Sequence, residues 1–399
     1  MADAERQRFR SRDFLDLLLI GFAHSFSDGY TNLLVPVLVL IVSDFGLSDM
    51  QVGILLGSYS LSSFLFVFPV SLAADHGGRK LQILMAGLAV ASLAYISMLG
   101  ASMFSLLVGL AFLAGAGNSV YHPCGTAITA ERFPAIKPYA ISVHGMMGNI
   151  GTSVIPILLA FVAEAVGWRW AIAICTLPVI ILIPLLWIRY RDFMSPTTRD
   201  RKSGSLLANS LVIANRVFRD RNVLVLALTY ALSGMGSKSS IGFLPLLATR
   251  RFGFRTASIG LFMSLYFGMG IVSKPLMGFV YARLGPRPAL GIPLLLSAAA
   301  TLAIGFAPWP TLLILLVAVV GVANPISPAI LTAAADFAQT GVLASSVGLI
   351  YSLHAVGFVA PVIGGWIAEE AGLPFTYMFA AVLFLAGGFL TASIRKEKS

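Results

Sequence analysis

Asp75-His76-Gly77-Gly78-Arg79-Lys80 lies between two long apolar stretches, and an altered copy, Ala282-Arg283-Leu284-Gly285-Pro286-Arg287, lies between two more. Aligning Gly78 with Gly285 sets an offset of 207 residues, which also pairs Ser71 with Gly278 and Lys80 with Arg287. Gly115-Ala-Gly-Asn118 matches Gly321-Val-Ala-Asn324 at an offset of 206, and Pro36 matches Pro245 at 209. A near-constant shift of half the chain describes one unit written twice, a period too long for a solenoid. In an apolar chain, duplicated half-domains are an architecture of membrane transporters.

The solvent of this chain is lipid. Of 399 residues, 58% are hydrophobic and 11% charged, against about 25% charged in soluble domains. About twelve apolar runs, six per half, are each long enough to cross a ~30 Å hydrocarbon core as a helix. They cover 14–42, 50–74, 81–100, 103–130, 137–163 and 168–189, then 221–248, 257–281, 288–307, 311–335, 343–368 and 373–394. The expected fold is therefore an all-α integral membrane protein: twelve transmembrane helices in two pseudo-symmetric six-helix bundles, 1–188 and 221–399, joined by a cytoplasmic linker at 189–220. Within that linker, 206–217 reads as a short amphipathic helix on the membrane surface. Elsewhere loops are short, which makes consecutive helices antiparallel neighbours.

Charge sets the expected orientation. With the N-terminus and every even-numbered connection on one side, 21 of the 27 Lys and Arg fall there and 4 fall opposite. Cationic loops stay in the cytoplasm, so both termini are expected there, and the first apolar run is expected to remain as a span rather than be cleaved as a signal. The net charge of +10 then reads as a girdle facing anionic lipid, and no nucleic-acid partner is expected. Cys124 and Cys175 both lie in apolar spans without metal-ligand spacing, and buried, inert thiols are expected.

Ionisable side chains within spans are costly and by default functional. His24 and Asp28 stand i, i+4 on one helix face, able to share or pass a proton; the plainer alternative is a satisfied pair that fixes helix packing. Asn118 and His122 share a face in the fourth span beside Pro123, and His144 and Asn149 sit in the glycine-rich Gly145-Met-Met-Gly-Asn-Ile-Gly151 of the fifth. His122 and His144 are expected to face one another. A two-His metal site would need further ligands, so no metal or other cofactor is expected. Lys238 in the seventh span is expected to pair with Asp28 when the outer gate is closed, because an unpaired buried Lys is expensive. Tyr30, Tyr121, Phe267 and Tyr351 are candidates to line a cavity, together with Asn324, the repeat partner of Asn118. Lys274 and Asp336 are expected to snorkel to the interface, and His354 to be structural.

The Asp75–Lys80 segment resembles the loop signature of the major facilitator superfamily, G-x-x-x-D-[RK]-x-G-[RK]-[RK]. Asp75, Gly78, Arg79 and Lys80 match, while Ser71 and His76 depart; in the second copy Gly278, Arg283, Gly285 and Arg287 match and Ala282 replaces the acid. The resemblance implies a conformational latch at Asp75 and Arg79, with Lys80, Arg283 and Arg287 beside the gate. His24-x-x-x-Asp28, Gly-x-Asn-Ser-Val-Tyr-His-Pro123 and Gly148-Asn-Ile-Gly-Thr-Ser-Val-Ile-Pro156 look like the fosmidomycin-resistance branch, although Cys124 stands where that branch commonly has an acid.

The resemblance implies alternating access and efflux of a small drug-like or polar metabolite by proton antiport, as in antibiotic resistance. Proton-driven uptake is the alternative. An integral-membrane enzyme built on His122, His144 and Cys124, or a transporter-like sensor, is a further one; no carboxylate is expected near those histidines to orient them, and no enzyme activity is expected. The expected partners are protons, a small-molecule substrate and lipid, around a monomer. The Ala-, Gly- and Arg-rich composition fits a bacterial inner membrane.

Overall fold

The computed structural model describes residues 11–77, 79–191, 220–337 and 343–395. Among these residues every regular element is helical. That is the solution lipid imposes, since only a helix satisfies its backbone within one segment while leaving a single rod exposed to hydrocarbon. The first half contains α1 (Ser11–Tyr30), α2 (Leu38–Phe45), α3 (Asp49–Gly77), α4 (Lys80–Ser97), α5 (Phe104–Asn118), α6 (Tyr121–Arg132), α7 (Lys137–Val166) and α8 (Trp168–Tyr190). The second contains α9 (Arg221–Phe252), α10 (Thr256–Leu284), α11 (Pro286–Phe306), α12 (Pro310–Ala323), α13 (Ser327–Phe337), α14 (Leu343–Ala355), α15 (Val359–Ala371) and α16 (Leu373–Leu390). The exterior is apolar: Ile181, Val272 and Phe389 are each about two-thirds exposed, a surface that water would not tolerate over this extent.

Ten segments are long and apolar enough to cross a membrane by length and composition. The two rods that fall short of the expected twelve are α1 with α2, and α9. They are repeat partners, and their apolarity is diluted by the same cause: His24, Ser25, Ser27 and Asp28 in one, Ser233, Ser237 and Lys238 in the other.

Backbone punctuation confirms the duplication and corrects several continuous spans. Gly46 and Gly253 close α2 and α9 with φ of 61° and 68°, a left-handed conformation that glycine adopts without a Cβ clash. The fourth span breaks at 119–120 between α5 and α6, and the tenth breaks at its echo, 324–326. The first span, read as continuous over 14–42, breaks at 31–37 around Pro36. Its partner Pro245 is instead accommodated inside an unbroken α9, so the copies differ here. The proposed surface helix at 206–217 and most of the linker lie outside the described residues.

The two halves meet along α7 against α10 and α3 against α15. At the face opposite the chain ends, hereafter the far face, these crossings are close. A Cβ on Gly53 would overlap the backbone carbonyl of Pro361, and one on Gly260 would overlap Ala160 and the carbonyl of Pro156. Cross-half ion pairs seal the same face. Arg250 donates to both carboxylate oxygens of Asp49 at 2.8 and 2.7 Å, and Arg255 lies 3.5 Å from Glu164. Glu369 accepts from the Met50 backbone N–H at 2.8 Å. Both of these cross-half ion pairs lie on that face; on the terminal face, pairs within the first half tie its helices together. There Asp16, 2% exposed, takes Arg132 at 2.8 Å and Arg189 at 2.5 Å, tying α1 to α6 and α8.

Candidate functional site

The break between α5 and α6 positions the site. Because the helix stops at Asn118 and restarts at Tyr121, Asn118 and His122 do not share a face as expected. Asn118 turns inward, 5% exposed, accepting from Ser27 Oγ at 2.8 Å and donating to Ser27 O and Tyr59 Oη at 2.8 Å each. His122 turns to the cavity between the halves, its side chain 59% exposed.

His122 there meets the first-span pair, so a carboxylate does stand beside it, contrary to expectation, because the helix break turns the ring toward α1. Its Nε2 lies 3.2 Å from Asp28 Oδ1, and His24 Nε2 lies 3.4 Å from the same oxygen. The proton on His24 can be placed from its neighbours: Nδ1 sits 2.7 Å from the backbone carbonyl of His144, and a carbonyl only accepts, so Nδ1 carries a hydrogen. Nε2 therefore faces the carboxylate either as a second N–H or as a lone pair, and two facing lone pairs are relieved by one shared proton. His24 is clamped in this orientation, stacked on His144 at 4.1 Å between centroids and on Tyr121 at 5.3 Å. Tyr121 is itself pinned by donating to Ile20 O at 2.6 Å. Gly148 leaves the room: a Cβ there would lie 2.9 Å from His24 Cε1 and overlap Asp28 Oδ2.

The cavity has two contiguous lobes, of about 380 and 210 Å³. Asp28, His122, Asn149, Lys274, Asn324 and His354 line the larger; Lys238 and His354 line the smaller, toward Tyr59 and Pro361. Of the expected cavity residues, His122, Asn149, Lys238 and Asn324 are thus placed there. Tyr30, Asn118, Tyr121 and His144 are not. Tyr30 is fully buried, its hydroxyl 3.3 Å from Ser92 Oγ and 3.4 Å from the Thr176 carbonyl. His144 is 2% exposed and serves the site through its ring face and carbonyl. His122 and His144 flank His24 rather than facing each other.

The expected Asp28–Lys238 pair is replaced by another arrangement. With the far face closed, the ion partners of Asp28 are the two histidines, and the lysine in electrostatic range is Lys274. Lys274 does not snorkel: its ammonium donates to Asn149 Oδ1 of the other half. Asp336 accepts from Tyr281 Oη at 2.6 Å. At the gate, the side chain of Asp75 and all of Gly78 lie outside the described residues. Arg79 is exposed, Lys80 pairs with Glu131, Arg283 stacks over Phe279 and Arg287 donates to Ile394 O at 2.7 Å.

Repeat symmetry extends to side chains that single-span reasoning missed. Asn324 repeats the Asn118 node, donating to Ser237 Oγ at 2.8 Å and Tyr266 Oη at 2.6 Å. His354 stacks on Tyr230 at 3.9 Å and donates through Nδ1 to its carbonyl at 2.9 Å. That mirrors His24 on His144, at offsets of 206 and 210. The motif offset of 207 takes His144 to Tyr351, three residues short of His354, and in the second half the donating ring is the repeat partner of His144 rather than of His24. As for metals, ligand atoms of His24, Asp28 and His122 lie within 4.8 Å of one another, a spacing an ion could bridge. The sequence offered a different histidine pair for that purpose.

Two helical halves closed at one face around a polar midplane cavity define a membrane transporter fold. The chain belongs to the Major Facilitator Superfamily, whose family model matches residues 17–230 and 226–399. It is 23% identical over 391 residues to an uncharacterized MFS-type transporter, YfnC, of Bacillus subtilis, covering 95% of this chain and 93% of that one. It is 22% identical to the B. subtilis nitrite extrusion protein, with 62% of this chain and 60% of that one covered. Identity to the Escherichia coli fosmidomycin resistance protein is 24%, with 41% of each chain covered; the alignments therefore span less than two-thirds of these last two relatives. Among solved structures, a bacterial homolog of the human lysosomal transporter Spinster, inward-facing and occupied, superposes with a TM-score of 0.82 at 15% identity, covering 96% of this chain and 97% of that one. The nucleoside transporter NupG (D323A mutant) follows at 0.78 and 12%, covering 96% and 100%.

Proposed function

We propose that the chain is a proton-coupled secondary transporter of the bacterial inner membrane, working by alternating access with its terminal face in the cytoplasm. The observation that carries this reading is the cluster of His24, Asp28 and His122, packed within the first half and opening to the cavity at Asp28 and His122. A proton entering by His122 neutralises Asp28 and loosens its hold on both histidines, while its loss restores it. Coupling arises if the two states favour different packings of the halves. The far-face pairs Asp49–Arg250 and Glu164–Arg255 would be the contacts broken and remade in each cycle. Asp75 and Arg79 would serve as the latch on the cytoplasmic face.

Export of a small polar molecule in exchange for protons is the direction favoured by the relatives, one named for nitrite extrusion and one for fosmidomycin resistance. Proton-driven uptake is the second reading. Lys274 lies in electrostatic range of Asp28, so a proton on Asp28 changes how the cavity holds a charged solute, and the two would then travel together. The test uses proteoliposomes with a trapped pH dye and nitrite, fosmidomycin or a panel of organic acids added outside. We expect solute-dependent proton movement that Asp28→Asn abolishes while solute–solute exchange survives. Equal proton movement in the Asn variant would remove Asp28 from the mechanism.

A further inference from the structure

The charge inventory of the cavity is unbalanced. Among the described residues its two lobes are lined by one carboxylate, Asp28, against the ammonium groups of Lys238 and Lys274, with His122 and His354 beside them. Asp28 is already engaged by His24 and His122. Lys274 Nζ donates to Asn149 Oδ1, a neutral acceptor, which leaves two of its three hydrogens to be satisfied. Lys238 has neither a hydrogen bond nor a carboxylate in electrostatic range among the described residues. An ammonium held at membrane depth without a counter-charge is expensive, and water in the cavity offsets that cost only in part.

We infer that the cavity takes a small organic anion whose negative group is held by Lys274 in the larger lobe and reached by Lys238 from the smaller one. The remaining donors suit the same ligand. Tyr230, Tyr266 and Ser237 line the larger lobe with hydroxyl groups, able to hydrogen-bond carboxylate or phosphonate oxygens and polar substituents. A volume of about 380 Å³ lies at the small end of sites for drug-sized ligands. A cationic substrate would add charge beside two lysines and find its one acid already partnered. The two lysines come from adjacent helices, α9 and α10, of the second half, while the proton site comes from the first. An anion at Lys274 would compete with Asn149 Oδ1 for its hydrogens, and so would act on a contact between the halves. This assignment rests on the transporter reading for the identity of the site, but not on the direction of transport.

The test is thermal unfolding of the purified full chain in detergent, at matched ionic strength, with succinate and phenylphosphonate as anionic probes. Succinamide and choline are the neutral and cationic controls. At least one anion is expected to raise the melting temperature saturably, with no shift from the controls. Lys274→Gln and Lys238→Gln should each weaken the apparent affinity tenfold or more, and Lys274→Arg should recover most of it. Three results would overturn the assignment: no shift with any anion, an equal shift with a control, or Gln variants that bind like the wild type. Anion binding without proton movement in liposomes would keep this site and remove the coupling reading. Proton-coupled movement of a neutral or cationic solute would do the reverse.

Discussion

Gly148→Ala tests the geometry of the proton site without knowledge of the substrate. The added Cβ would stand 2.9 Å from His24 Cε1 and 3.0 Å from His24 Nε2, and would overlap Asp28 Oδ2. The His24 ring has no room to retreat. His24 is held between its bond to the His144 carbonyl and the stacked rings of His144 and Tyr121, and one turn further on Gly151 lies directly against the backbone of Ser25. Relief therefore requires α1 and α7 to part or the pair to break, an overpacking cost of about 1–3 kcal/mol. In a chain of this size that corresponds to a fall in melting temperature on the order of 2–5 °C.

Gly145→Ala is the control. It sits one turn earlier on the same helix with nothing within 4 Å of its Cβ position, so replacing glycine there should be neutral or stabilise by up to about 1 kcal/mol. The decisive comparison is a double-mutant cycle. In a His24→Ala, Asp28→Ala background the obstructing atoms are gone, and Gly148→Ala should then cost little; the coupling between sites should recover most of the single-variant loss. If Gly148→Ala destabilises equally in both backgrounds, or not at all in the wild type, the packed arrangement of His24, Asp28 and Gly148 is refuted.

Arg250→Gln removes the two-pronged pair to Asp49, worth about 1 kcal/mol at an exposed site. A cysteine at Thr31, which lines both lobes, should then be labelled from the far face about fivefold faster, and the Asp49→Arg, Arg250→Asp swap should slow it again; unchanged labelling would show that other contacts close that face. Asn118→Ala orphans Ser27 and Tyr59 in a buried node and should cost about 1–3 kcal/mol in thermal stability. Asn324→Ala, whose partners line the cavity and can turn to water, should cost less, and equal losses would contradict that difference in burial.

The fold was legible because its physics is one-dimensional. Apolar runs of span length, a 21-to-4 split of cations and a repeat offset near 207 residues are properties of the chain alone. The site was only half legible. His24 and Asp28 could be found because i, i+4 spacing on a helix is itself a tertiary statement, and both stand at the same oxygen-centred cluster. Tyr30, Tyr121 and His144 could not be assigned in the same way. Whether a mid-span polar side chain turns to a cavity or to a neighbouring helix depends on rotation about the helix axis, and the breaks at 31–37 and 119–120 reset that rotation.

The lysines make the same point more sharply. By counting residues, Lys238 stood level with Asp28 and looked like its partner, while Lys274 looked close enough to an interface to snorkel. Depth along a span is readable from sequence, but azimuth and the relative placement of the two halves are not. The tertiary structure turned Lys274 across the interface to Asn149 and left Lys238 in a lobe without an acid. The sequence by itself determined a duplicated, membrane-spanning helical chain with its polar chemistry concentrated in the first half, because hydrophobic length and charge asymmetry act segment by segment. The packing of α1 against α7, and of α7 against α10, decided which of those polar groups share a cavity, because that depends on contacts between residues more than a hundred positions apart.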